Sequence, residues 1–283
     1  MRIVRFEEKK SPGNARMGVL SADGKSVIAA EGGPSAQDLS WYDETSSAFA
    51  LLRNPKGPTF PLDAIRMLAS VNRPGKIMCI GLNYRDHAIE SKMDIPKSPV
   101  MFAKFGTSIC GPGDNVVIPL GCEKPDYEAE MAIVIGRRAK HVSKEDALSY
   151  VLGYCCFNDV SARDFQFADG QWSRGKAPDT FAPIGPYIVT RDEVPNPENL
   201  RIALRLNGRT VQDSNTNQLI FGIAELVSFL SRSMTLEPGD VIPTGTPPGV
   251  GFAHTPPLWI KPGDKMEVEI EGLGILENPV SAS

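Results

Sequence analysis

Hydrophobic positions along this chain come in short bursts rather than long periodic stretches. Over 76–80, 100–104, 129–135, 151–157, 184–189, 201–206, 240–243 and 265–270 the residues are apolar or β-branched and are bounded by Gly, Pro or Asn. Runs of that length and composition predict strands. Asn207-Gly208, directly after one such run, predicts a hairpin turn. Helical spacing is convincing at only three places, 84–93, 144–150 and 223–231. The second opens with Ser143 as N-cap and acids in its first turn. Nearer the N-terminus, 2–6, 15–20 and 25–30 read as short strands and 62–68 as a helical turn or two. The turn signal Asn72-Arg73-Pro74-Gly75 marks a boundary. It divides a small N-terminal domain, 1–72, from a larger domain, 73–283. Many strands and few helices imply a mostly β, α+β chain built as a roll or barrel.

The run 126–136 carries the most chemistry. As a strand it places Ala129, Met131, Ile133 and Ile135 on one apolar face, and Glu128, Glu130, Ala132 and Val134 on the other. Two carboxylates then share a face with Cα atoms about 7 Å apart. Like charges that close repel unless a cation lies between them. A hard divalent ion suits oxygen ligands, and Asp159, just past the 151–157 strand, is a candidate third carboxylate. An exposed edge strand carrying two Glu on its outer face satisfies the same pattern. His87, His141 and His254 are scattered, which disfavours a zinc site of nitrogen and sulfur ligands.

His87 and Glu90 stand at i and i+3 on the 84–93 helix, where a carboxylate can fix an imidazole tautomer. This makes His87 a candidate general base, although an ordinary exposed pair has the same spacing. The helix lies between Gly81 and Pro96, so it is short enough to act as a lid. Arg163 and Gln166 are candidates for a substrate carboxylate and Lys176 for a developing enolate, although a lysine or arginine alone is more often a solvated surface charge. Thr244-Gly245-Thr246-Pro247-Pro248-Gly249-Val250-Gly251 is a rigid turn with backbone donors. It is neither a P-loop nor a dinucleotide fingerprint, and the chain has no G-x-S-x-G elbow.

Composition narrows the setting. A net charge of −4 without a long basic run excludes nucleic acid as an expected partner. No apolar run is long enough to cross a membrane as a helix, and the first residues lack a secretory h-region. Cys79, Cys110, Cys122, Cys155 and Cys156 are odd in number and without C-x-x-C spacing, as expected of free thiols in the cytoplasm.

Taken in order, Gly81-Leu82-Asn83-Tyr84 with His87 and Glu90, Pro99-Val100-Met101-Phe102-Ala103-Lys104, Asp126-Tyr127-Glu128-Ala129-Glu130, Asn158-Asp159-Val160-Ser161-Ala162-Arg163-Asp164, Lys176 and Thr244-Gly245-Thr246-Pro247 resemble the fumarylacetoacetate hydrolase family. The resemblance covers about 73–280. It implies a mixed β-roll with a barrel-like core, commonly a homodimer, acting on a small oxo-acid substrate. It implies that Glu128, Glu130 and Asp159 bind Mg²⁺ or Mn²⁺, that His87 with Glu90 activates water, and that Lys176 supports the substrate oxyanion. Arg163, Gln166 and Thr246 would then meet the substrate carboxylate. The activity implied first is hydrolysis of a carbon–carbon bond in an acylpyruvate-like 1,3-dioxo acid. Oxaloacetate decarboxylation, or isomerisation of unsaturated dioxo acids, follows as the alternative. Residues 1–72 match no family pattern, and the stretch 165–175 is where relatives differ most.

Overall fold

The computed structural model of the chain describes residues 1–168 and 170–283; Asp169, inside the variable 165–175 stretch, lies outside the described residues. The strand Ala129–Ile135 organises the fold. It runs antiparallel between Val151–Asn158 and Val241–Pro243, and all of its residues are buried. Period two sorts its side chains into two cores. Ala129, Met131, Ile133 and Ile135 enter one hydrophobic cluster, and Ala132 and Val134 enter another. The edge-strand reading of this segment therefore fails, because hydrogen-bonded neighbours occupy both sides.

From Val151–Asn158 the sheet continues through Ala182–Thr190 to Arg2–Glu8, then Arg16–Leu20, Ser26–Ala29 and Thr59–Pro61. The strands of residues 1–72 thus extend the same sheet that carries the central strand. In the other direction Val241–Pro243 pairs parallel with Ile77–Gly81, which pairs antiparallel with Val100–Lys104. The sheet is twelve-stranded and mixed, and its path ends at Thr59–Pro61 and Val100–Lys104. Those ends do not pair with each other, which corrects the barrel-like expectation to an open sheet. A second, five-stranded sheet runs Arg209–Asn215, Arg201–Leu206, Lys265–Ile270, Gly274–Ala282 and Val116–Ile118. Its Ile202, Leu204, Val268 and Ile270 share the first cluster with Met131 and Ile133.

Helices are short and peripheral. Ile223–Ser233 buries Ile223, Leu226, Val227 and Leu230, an i, i+3, i+4, i+7 stripe. The 84–93 segment forms one helix, Arg85–Glu90. Ser47–Arg53 adds a helix to the three expected; the Phe49 amide donates to the Ser46 side chain, and Ala48, Phe49 and Leu52 are buried. Short helical turns also form at Arg163–Gln166 and Ser173–Lys176. Among the described residues no helix is long and apolar enough to cross a membrane, and all five cysteines are free.

Candidate metal centre and active site

Strand register brings the acids together. Ala129 pairs with Asn158, so Glu128, one residue before its strand, and Asp159, one residue past its own, meet at the same sheet end. The Asp159 amide donates to the Glu128 carbonyl at 2.9 Å, and the Glu128 amide donates to Asn158 Oδ1 at 3.0 Å. Glu130 reaches the same place from the second position of Ala129–Ile135. Each of Glu128, Glu130 and Asp159 offers an oxygen within 4.8 Å of the others, and all three are buried.

Buried cations face them. Lys176 Nζ lies 2.8 Å from Glu128 Oε2 and 2.9 Å from Asp159 Oδ2. Lys104 Nζ lies 2.6 Å from Asp159 Oδ1, donates to the Val160 carbonyl at 2.9 Å, and also donates to the Lys176 carbonyl. Arg163 Nη2 lies 2.7 Å from Glu128 Oε1 and 2.8 Å from Asp126 Oδ2. Burial pushes the Glu128 carboxyl up, but Lys176 and Arg163 outweigh it and pull the group down to about 2. Burial pushes the Lys176 ammonium down, and Asp159 and Glu128 hold it above its usual value instead. Glu130 differs. Burial, then the Asp159 and Glu128 charges, push its carboxyl well above the ordinary range, and the Gly245 amide, donating at 2.8 Å to Oε2, offsets this only in part.

The loop 244–252 is fastened to these acids through its backbone. Gly245 donates to Glu130; Gly249 donates to Glu90 Oε1 at 3.0 Å; Gly251 and Phe252 donate to Asp126 at 2.6 and 3.1 Å. Three of the donors foreseen in this turn, the Gly245, Gly249 and Gly251 amides, are therefore taken by the protein's own carboxylates. Gly245 and Gly249 have φ of +103° and +98°, a region that favours glycine. Asn83, just ahead of the Arg85–Glu90 helix, ties the loop to that segment: its Nδ2 donates to the Thr244 and Phe221 carbonyls at 2.8 and 3.1 Å.

Across a cavity of about 150 Å³ stands His87. Its Nδ1 is 3.1 Å from Glu90 Oε2, and Nε2 makes no hydrogen bond to a described residue. Burial raises the Glu90 carboxyl, but the His87 contact and the Gly249 amide hold it below the usual carboxylate value. Glu128, Glu130, Arg163, Gln166, Lys176 and Thr246 line the same cavity, as do Phe102 and Trp172. The nine residues singled out in the sequence thus converge on one site, with Asp159 just beneath its floor. Arg163 and Gln166 are held to each other, Nη1 to Oε1, at 3.0 Å. The Gln212 amide likewise donates to Thr246 Oγ1 at 2.9 Å.

An oxygen-only donor set of three buried carboxylates fits a hard divalent cation. Glu130 supplies the test of that fit, since it is a buried acid beside two others with one backbone amide for a partner. Two residues of this network carried no assigned role in the sequence, Lys104 and Asp126. A lysine closing the otherwise apolar strand Val100–Lys104, and an acid beside Tyr127-Glu128, were the available signals.

Seven ionisable side chains buried at one opening are not there for stability, because apolar packing is commonly the more stable alternative. What they define is a buried cluster of carboxylates and cations of the kind that functional sites use. More particularly, the chain belongs to the fumarylacetoacetate hydrolase family: residues 76–281 match the model for the fumarylacetoacetate (FAA) hydrolase C-terminal domain. It is 41% identical over 288 residues to the mitochondrial oxaloacetate tautomerase FAHD2A of Bos taurus, covering 99% of this chain and 91% of that one. A solved structure of 5-carboxymethyl-2-hydroxymuconate delta-isomerase from Mycobacterium smegmatis is similar at TM-score 0.82 and 36% identity, covering 100% and 99%. Fumarylacetoacetate hydrolase from Exiguobacterium antarcticum is similar at TM-score 0.85 and 36% identity over the whole of both chains. The chain is accordingly an enzyme of dioxo-acid chemistry.

Proposed function

We propose that the protein interconverts the enol and keto forms of a 2-oxo acid, with Mg²⁺ or Mn²⁺ on Glu128, Glu130 and Asp159. The observation that carries this reading is the likeness to an oxaloacetate tautomerase over nearly the full length of both chains. The site's chemistry supports it. A divalent cation bound there would act as a Lewis acid toward the oxygens of the 2-oxo acid head. His87 takes a proton from C3, the C–H electron pair becomes the C2=C3 bond, and the carbonyl pair moves onto oxygen. Lys176 supplies positive charge on that side of the cavity, and His87 returns the proton to the oxygen to complete the enol. Glu90 on Nδ1 holds the imidazole with Nε2 free for the transfer. No water is consumed, which separates this reaction from the hydrolysis expected first.

Hydrolysis of an acylpyruvate is the second reading, favoured by the same His87–Glu90 pair, since an oriented imidazole also deprotonates water. Decay of the ultraviolet absorbance of freshly dissolved enol oxaloacetate, with Mg²⁺, decides between them. The wild type should accelerate it, and His87→Ala should lower kcat on the order of 10²–10⁴-fold. A wild-type rate equal to the uncatalysed one, with acetate released from acetylpyruvate, would replace the first reading by the second.

A further inference from the structure

The cavity is polar at its floor and apolar at its mouth. Floor residues such as Glu128, Glu130, Arg163 and Lys176 are buried, whereas Met93 and Phe167 at the rim are 57% and 63% exposed. Between floor and rim stands an aromatic wall. The Phe102 and Trp172 rings meet edge to face with centroids 5.4 Å apart, and Lys176 Nζ sits 5.0 Å over the Phe102 ring. Gly81 lets the indole come this close; a Cβ there would lie 2.8 Å from a Trp172 ring carbon. Among the described residues lining the cavity, the lysine and the arginine both lie at the floor and are paired with carboxylates. The remaining imidazole faces Glu90. Among the described residues the outer part of the lining holds no cation.

We propose that Phe102, Trp172, Met93 and Phe167 form a subsite for an apolar substituent on the far end of a 2-oxo acid, so that aryl- and alkyl-ended acids are preferred to dicarboxylic ones. A distal carboxylate placed there would lose its hydration and find no ionic partner, which is costly. A phenyl or alkyl end would bury apolar surface against two aromatic rings. The proposal rests on the reading of the floor as a 2-oxo acid site.

Phenylpyruvate and oxaloacetate test it cleanly, because both are X–CH₂–CO–COO⁻ and differ only in X. With Mg²⁺ present, the wild type should show kcat/KM for enol–keto interconversion about tenfold or more higher on phenylpyruvate than on oxaloacetate, a discrimination ordinary for an apolar pocket. Trp172→Ala should remove most of that difference through KM. Phe167→Arg, a change at an exposed position that should leave folding intact, should shift the ratio about tenfold toward oxaloacetate by supplying the missing cation. Equilibrium binding of both acids, followed by tryptophan fluorescence, separates the two levels of the argument. Tighter binding of phenylpyruvate without turnover of either acid would uphold the subsite and overturn the tautomerase reading. Equal or tighter binding of oxaloacetate by the wild type, or a ratio unmoved by Phe167→Arg, would overturn the subsite.

Discussion

Replacing Asp126 by alanine should be among the most damaging single changes to this site, although Asp126 itself faces no substrate. Its carboxylate is fully buried and accepts from the Tyr127, Gly251 and Phe252 amides at 2.8, 2.6 and 3.1 Å, and from Arg163 Nε at 2.9 Å. Asp126→Ala strands a buried guanidinium with Glu128 as its remaining carboxylate partner. Breaking a buried pair in this way costs about 3–5 kcal/mol, and each stranded amide adds about 1–3 kcal/mol before the loop relaxes. A net loss of about 4 kcal/mol is a restrained estimate. Unfolding entropy of about 2.1 cal/mol/K per residue gives this chain of 283 residues about 0.6 kcal/mol/K. The expected fall in Tm is therefore about 7 °C. Asp126→Asn keeps one oxygen for the amides but turns an NH₂ toward Arg163 or Phe252, so it should recover only part of the loss. Differential scanning calorimetry reads both. A fall under about 2 °C for Asp126→Ala would refute the reasoning, because the network would then be dispensable.

Four further outcomes are expected. Mg²⁺ should raise the Tm of the wild type but not of Glu130→Gln; in metal-free buffer that variant should be at least as stable as the wild type, since burial already disfavours the Glu130 charge, and a clear drop in metal-free Tm would contradict this. Glu90 is held below the ordinary glutamate value of 4.5, so its stabilising contribution is complete above about pH 4.5 and disappears as pH falls through the lower folded value; Glu90→Gln should flatten the acid limb of the stability curve, and an unchanged limb would assign it to other groups. Gly249→Ala should cost at least about 2 kcal/mol in a denaturant titration, because φ is +98° and the new Cβ would fall 2.0 Å from the Val211 carbonyl oxygen. Light scattering at micromolar concentration should give a homodimer mass, and an active monomer would count against it.

Much of this arrangement was legible before the fold was known, for identifiable reasons. Strands over 100–104, 129–135, 201–206 and 265–270 coincide with Val100–Lys104, Ala129–Ile135, Arg201–Leu206 and Lys265–Ile270, because each is dense in β-formers between turn residues. The strand Gly274–Ala282 was missed: Asn278-Pro279 has turn character, yet Pro279 lies opposite Lys265, where pairing passes from Lys265–Ile270 on one side to Val116–Ile118 on the other. Arg209–Asn215 was missed because it is polar, as suits the edge of its sheet. Parity placed Glu128 and Glu130 on one face, and both reach the cavity. Parity has no power over Lys104 or Asp126, whose partners lie 55 and 37 residues away at Asp159 and Arg163. Such partnerships are set by register across the sheet and by the 244–252 loop, and neither leaves a local trace.

The charges buried beneath the cavity also amount to a valence. Asp126, Glu128, Glu130 and Asp159 face Lys104, Arg163 and Lys176, so with every group ionised this described floor carries one negative charge in excess. A divalent cation bound there would reverse the sign and leave one positive charge to be neutralised. One carboxylate does that; two leave an uncompensated anion in a region with little water to screen it. Electroneutrality would then work as a filter on the incoming acid, independent of shape. Enol–keto interconversion leaves the charge of the bound acid unchanged, so this floor would hold both forms alike and leave release to the rim.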